Sequence, residues 1–393
     1  MKESVGRPKA AVYHPWLIEG GGSEAVALWA ARALSYEFAV DILTMGETPL
    51  DRLNAAYGTD LREPEIGLIR IPVPRLLRRR GDALRAALAA RAVRPLLSGY
   101  DLLFSSYNVM DFGRRGLQYI SDFSFDDAIR RACLGDTVDG RELRRRPAPW
   151  RSLYLGTARK IARQSRSGWR RNLTLANSRW SRDLMAEVFG VESEVVYPPV
   201  VAPDPDVAWE KRADGFVTIG RIVPEKRVDE LADIVAEVGR ANRDVHLHVL
   251  GRVPDDALGR TLAAKARASA GSLRLEGPVY GEAKRGFLLG HRYGLSGRRH
   301  EPFGMSAAEM VRAGLIVWVP QSGGQVEIVD HPELVFESPA DAAAKIGRVM
   351  ADPARQRALL AHLRRQAAKF AIGGFVEGIR RAGSEFREIR HAG

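Results

Sequence analysis

Residues 301 to 309 read Glu301-Pro302-Phe303-Gly304-Met305-Ser306-Ala307-Ala308-Glu309, two carboxylates bracketing a glycine that opens a helical run. The apolar stretch Leu315 to Val319 and a second glycine turn, Gly323-Gly324, follow. A helix start offers unpaired backbone N–H donors and the positive end of a dipole, which suit an anion, while flanking carboxylates accept hydrogen bonds from ligand hydroxyls. The spacing Ser306-x-x-Glu309 also fits an ordinary capping box, so this segment alone leaves both readings open. A second candidate pair is Arg221 and Lys226, placed after a strand-like run and before a helical one. Two fixed cations there can stabilise negative charge building on a leaving group.

The elements that would position these residues alternate. Strand-like runs stand at Ala10 to His14, Phe38 to Leu43, Ile66 to Ile71, Asp101 to Ser105, Leu117 to Ser121, Asn172 to Ala176 and Glu194 to Tyr197, with helical patterns between several of them. The first is followed by three glycines and a helix for which Ser23 is the expected N-cap. Pro198-Pro199 through Pro205 is extended and helix-breaking, and reads as a linker. A second series has strands at Phe216 to Ile219, Val245 to Leu250, Ser272 to Glu276, Arg292 to Leu295, Leu315 to Val319 and Leu334 to Phe336. Its helices are expected at Val228 to Ala241, Asp255 to Ala270, Ser306 to Ala313, Gln325 to Val329 and Ala340 to Met350. Such alternation predicts an α/β protein of two Rossmann-like halves with mainly parallel sheets, the site lying in the cleft that they face.

Four stretches in order resemble one family. The segment from His300 to Val329 looks like the E-x7-E signature of retaining family 4 glycosyltransferases of the GT-B architecture. Gly20-Gly21-Gly22-Ser23-Glu24, Leu175-Ala176-Asn177-Ser178-Arg179-Trp180 running to Val196-Tyr197-Pro198-Pro199, and Ile219 to Lys226 match in register. The Asn-Ser-x-Trp and Tyr-Pro-Pro wording is nearest to the subtype of mannosyltransferases that extend lipid-linked oligosaccharides. The resemblance implies an N-terminal acceptor domain over 1–200, a nucleotide-sugar donor domain over 201–370, and a C-terminal helix over 371–393 that crosses back to the first domain.

By the same resemblance, Arg221 and Lys226 bind the donor diphosphate, Glu301 contacts the donor sugar, and Glu309 the ribose hydroxyls. The backbone N–H groups of Phe303, Gly304 and Met305 reach sugar and phosphate, and Gly21 and Gly22 let donor or acceptor approach the main chain. Glu24 is read as structural. Related enzymes often carry a histidine after the strand Leu117 to Ser121, where this chain has Asp122. Asp122 would position the acceptor or balance positive charge on the sugar, and it equally fits an N-cap of the next helix. His14, His291 and His300 are the alternatives for that missing histidine. Arg298-Arg299-His300, before Glu301, also departs from the family wording.

The implied activity is metal-independent hexose transfer, with retention, from a nucleotide-sugar such as GDP-mannose or a UDP-sugar to a glycan or lipid-linked acceptor. The donor is a substrate, so no cofactor is expected, and the sequence points to no metal ligands. Two rivals stay open: a sugar-nucleotide epimerase or phosphorylase on the same fold, and a non-catalytic basic binding protein.

Charge separates the halves. The chain has 393 residues and a net charge of +12. Between Pro72 and Arg171 it has twenty-two Lys/Arg against nine Asp/Glu, a net of +13, so the rest is near neutral. Arg78-Arg79-Arg80 precedes Leu84, Leu88, Ala89 and Val93, and Arg144-Arg145-Arg146 precedes Trp150, Leu153, Tyr154 and Ile161. Residues 72–171 thus offer a surface for an anionic membrane or a phosphorylated lipid acceptor, with a solvated helix face as the alternative. No nucleic-acid motif accompanies the charge. The lone cysteine, Cys133, excludes an internal disulfide and fits a reducing compartment. With neither a signal peptide nor an eighteen-residue apolar run, the expected location is the cytoplasm, peripheral to the inner face of the membrane.

Overall fold

The structure is a computed structural model, and it describes residues 7–17, 21–45, 48–63, 65–71, 82–138, 149–240 and 245–392. The basic triplets Arg78–Arg80 and Arg144–Arg146 and the first motif glycine, Gly20, lie outside the described residues. The chain divides into two compact units, residues 1–199 with 372–393, and residues 200–371.

In the first unit, seven described strands form one parallel sheet: β1 (Lys9–Tyr13), β2 (Ala39–Met45), β3 (Ile66–Ile71), β4 (Leu102–Ser105), β5 (Leu117–Ile120), β6 (Leu173–Ala176) and β7 (Glu194–Val195). Their order is β3-β2-β1-β4-β5-β6-β7. The central strands are short apolar runs because helices cover both faces of a parallel sheet. Ala10, Val12, Leu102 and Phe104 are fully buried. The helix Ile372–Ala392 places Phe375, Ile379, Ala382 and Phe386 on one stripe, and all four join Leu28, Leu34 and Phe38 in the same core.

The helix Gly22–Leu34 is capped two residues before the expected Ser23. Its N-cap is Gly21 in an extended conformation without a side-chain cap, and Ser23 Oγ instead donates to Glu24 Oε2 at 3.0 Å. The helices Asp82–Val93 and Pro149–Ala162 pack on each other. Ala89 and Val93 are buried in the first unit's second core, so the apolar side of the first of these helices is covered by the protein itself. Trp150 and Leu153, 83% and 63% exposed, are large apolar side chains that remain outward on the second helix.

The second unit has six described parallel strands: β8 (Ala213–Ile219), β9 (His246–Leu250), β10 (Leu273–Gly277), β11 (His291–Leu295), β12 (Ile316–Pro320) and β13 (Val335–Phe336). They run β10-β9-β8-β11-β12-β13. Phe216, Tyr293 and Trp318 on three adjacent strands pack ring to ring, with centroids 5.2 Å and 5.8 Å apart across Tyr293. A helix not expected from the sequence, Gly281–Gly290, precedes β11. Its three glycines depress helix propensity, and tertiary packing of Leu288 and Leu289 overrides it.

Candidate active site

The site of the second unit is built at the C-terminal ends of its strands. β8 ends at Ile219, and Gly220, at φ +136°, turns the chain into the segment that carries Arg221 and a 3₁₀ turn, Pro224–Lys226. The helix Val228–Gly239 follows. From the other side comes the loop after β11. Glycine at 297 is required because a Cβ there would stand 2.5 Å from the Lys226 carbonyl oxygen. A depression lined by Gly220, Arg221, Lys226, Ser296, Gly297 and Ser306 results.

Glu301 is the centre of the charge arrangement. Lys226 Nζ donates to its Oε2 at 2.7 Å and Arg298 Nη1 to its Oε1 at 3.2 Å. Burial pushes the carboxyl up, but Lys226, Arg298 and Arg221 together outweigh it and hold Glu301 below the ordinary carboxylate value. Arg221 itself is exposed and makes no salt bridge among the described residues. Its charge is therefore available to an incoming anion. Arg298, the residue that departs from family wording, is thus the second clamp on Glu301.

The backbone of Glu301 is fixed by the second glycine turn. Gly323, at φ +84°, pairs with Glu301 in a parallel bridge, and Gly324 N donates to Glu301 O at 2.8 Å. A Cβ on Gly323 would lie 2.4 Å from that carbonyl oxygen. Gln325 is fully buried and ties the loops together: its Oε1 accepts from Ser296 Oγ at 2.8 Å and its Nε2 donates to Arg298 O at 2.5 Å. Sequence reading missed Ser296, Gln325 and Lys284, since a lone serine, glutamine or lysine carries no spacing signal.

The helix Met305–Arg312 has Gly304 as its N-cap, at φ +106° and with no side-chain cap. Ser306 is therefore inside the helix, and the capping-box reading of Ser306-x-x-Glu309 does not hold. Glu309 instead ion-pairs with Lys284 of the helix Gly281–Gly290. Burial raises the Glu309 carboxyl above its ordinary value, and Lys284 only partly offsets this. The first-turn N–H groups lack a side-chain cap and open beside Glu301, a donor array suited to an anion. Phe303 is buried against Phe370, ring centroids 5.5 Å apart, so it contributes backbone to this array while its ring anchors the loop.

The candidates of the first unit are placed as follows. Gly21 N donates to Tyr57 Oη at 3.2 Å, and Tyr57 Oη donates to Gly21 O at 2.7 Å. A Cβ on Gly21 would meet Glu24 Oε2 at 2.4 Å, so glycine leaves room for the buried Glu24 carboxylate. Asp122 is not a helix N-cap: Asp126 fills that role, accepting from Ala128 N and Ile129 N. Asp122 Oδ1 accepts from Asn108 Nδ2 at 2.6 Å and from Ser124 N at 2.9 Å. His14 is buried, and burial lowers it to about 3, which makes it a neutral imidazole.

Residues 205–370 match the family model of glycosyl transferases group 1. No curated protein sequence matches the chain. Among solved structures, HepE of Anabaena, determined with UDP and glucose, superposes with a TM-score of 0.67 at 14% identity, covering 96% of this chain and 100% of that one. Sucrose-phosphate synthase of Thermosynechococcus elongatus gives 0.70 at 16% identity, covering 98% and 100%. WaaG, a glycosyltransferase involved in lipopolysaccharide biosynthesis, gives 0.65 at 14% identity, covering 91% and 95%. These likenesses establish a fold shared across nearly the whole chain. The family match lies within the second unit, and the two parallel-sheet units together have the GT-B fold of these solved structures.

Proposed function

We propose that the chain transfers a hexose from a nucleotide-sugar, GDP-mannose or a UDP-sugar, to a glycan or lipid-linked acceptor with retention of anomeric configuration. The observation that carries this reading is Glu301 clamped by Lys226 and Arg298 beside the exposed Arg221 and an uncapped helix start at Gly304. Arg221, Lys226 and the first-turn N–H groups bind the diphosphate. As the bond from C1 to the phosphate oxygen breaks, these groups stabilise the charge left on the diphosphate without a metal. The acceptor oxygen bonds C1 on the same face and its proton passes to the departing phosphate oxygen, so no side-chain nucleophile is needed. Ionised Glu301 contacts the sugar and favours positive charge developing there, and Glu309 accepts from the ribose hydroxyls. The structures of HepE with UDP-glucose and with UDP support a donor of this class.

The acceptor side of the proposal rests on the first unit. Trp150 and Leu153 project outward near the strongly basic part of the sequence, and Arg159 and Lys160 are exposed on the same helix, a combination that favours an anionic lipid surface. Among the described residues, no helix is long and apolar enough to cross a membrane. The test is a thermal-shift panel of UDP-, GDP-, ADP- and dTDP-sugars, followed by NMR of the product's anomeric configuration. Binding of none of the four, or an inverted product, overturns the reading.

A further inference from the structure

At the opposite end of the second sheet, three histidines meet. His246 and His248 lie on one face of β9, and His291 opens β11. β8 runs between these strands and places Gly215 in register with His246. A Cβ on Gly215 would stand 2.4 Å from His246 Nε2 and 2.5 Å from His291 Cδ2, so only glycine leaves the imidazoles room to converge over the middle strand. Their ring centroids are 4.5 to 5.4 Å apart, and one ligand atom from each lies within 4.8 Å of the others.

Two of the rings are held by their outer nitrogens. His248 Nδ1 pairs with Glu276 Oε1 at 2.7 Å, and His291 Nδ1 pairs with the Phe287 carbonyl at 2.8 Å. Each partner fixes the tautomer with the proton on Nδ1 and leaves Nε2 with its lone pair free. Carboxylate and carbonyl partners of this kind orient imidazoles at metal centres and raise their basicity as ligands. His248 Nε2 is buried and has no hydrogen-bond partner among the described residues, which costs free energy unless something accepts its lone pair.

We propose that His246, His248 and His291 form a binding site for a divalent d-block ion of the zinc class, with water completing the tetrahedron. Three nitrogens at about 2.0–2.1 Å from such an ion stand about 3.3 Å apart, so the rings close by about 1.5 Å at most. His246 and His291 are only half-buried, which gives the ion an entry path. From Gly215 to Arg221 the strand direction spans about 20 Å, so the ion ties β9 to β11 across β8 and takes no part in donor chemistry.

The experiment uses the full chain with any affinity tag removed, stripped with EDTA and dialysed. Equilibrium dialysis against ZnCl2, with metal content read by mass spectrometry, and titration with CoCl2, read by ligand-field absorption, are the probes. One equivalent is expected, with Co²⁺ giving the intense bands of a tetrahedral site. His248→Ala and His291→Gln are expected to weaken binding about 100-fold or more, and Glu276→Gln, which leaves all three ligands in place, by about 10- to 100-fold. UDP-sugar and GDP-sugar affinity, unchanged in these variants, separates loss of metal from loss of fold and from failure of the donor reading. No uptake of Zn²⁺ or Co²⁺ by the wild type overturns the proposal. Wild-type stoichiometry and affinity in Glu276→Gln and in the folded histidine variants also overturns it.

Discussion

Lys226 Nζ stands 2.7 Å from Glu301 Oε2, though 75 positions separate the two residues. Under the proposed function, Lys226 turns from this carboxylate to a donor phosphate, and Arg298 stays on the other carboxylate oxygen as its counter-charge. Arg221→Ala and Lys226→Ala are each expected to lower transfer by about two to three orders of magnitude, because each removes a charge-assisted contact to the leaving group. Single-turnover rates at saturating donor measure this. Activity within twofold of wild type in both variants rejects the role of the loop.

The two site carboxylates separate by binding. Glu301→Gln keeps the shape and removes the charge beside the sugar, so turnover falls while free nucleoside diphosphate binds nearly as before. Glu309→Gln weakens the diphosphate by about 1.5–3 kcal/mol through loss of a charged acceptor for ribose. Calorimetric titration decides, and Ser306→Ala serves as the control: since Ser306 is inside the helix, it melts without the loss of about 1 kcal/mol that follows removal of a capping serine.

They also separate by pH. Glu301 has its folded pKa below 4.5, so it contributes stability above pH 4.5 that is lost as pH falls through the folded value. Glu309 has its folded pKa above 4.5, so its contribution is fullest below pH 4.5 and is lost as pH rises through the folded value. Thermal melts of the two Gln variants across this range therefore diverge. Glu301→Gln has a deficit at neutral pH that shrinks on acidification, and Glu309→Gln flattens the decline seen as pH rises above 4.5. Parallel curves contradict the opposite shifts.

Gly323→Ala is expected to destabilise the second unit by at least about 2 kcal/mol and to abolish transfer. It forces an L side chain into a positive-φ position and against the Glu301 main chain. Denaturant unfolding beside an activity assay checks both effects, and a silent variant shows that the Glu301 bridge is dispensable.

The outward apolar residues are expected to act with the basic region. Trp150→Ser with Leu153→Ser, and separately Arg78, Arg79 and Arg80 changed to Glu, weaken sedimentation with anionic vesicles while nucleotide affinity stays at the wild-type value. Absence of wild-type binding at low salt leaves these residues as solvated surface.

The alternation of apolar runs and turn residues determined both sheets, because a strand buried on two faces must be continuously apolar: Ala10 to Val12 and Ile316 to Val319 are legible for that reason alone. Glycines at 304 and 323, and the cations at 221 and 226, were legible as a loop chemistry. What required the tertiary structure was every relation across strands. The sequence left Ser306 and Glu309 as a capping box or a ligand pair, since spacing is identical in both; the helix start at Gly304, which leaves Ser306 inside the helix, excludes the capping box, and packing of the glycine-rich helix Gly281–Gly290 brings Lys284 to Glu309. Likewise Arg298 looked like a departure from pattern until the loop folded it onto Glu301. The histidines at 246, 248 and 291 are 45 positions apart at their extremes, and they meet because parallel β pairing places β9 and β11 on either side of a glycine in β8, a register that no local signal encodes.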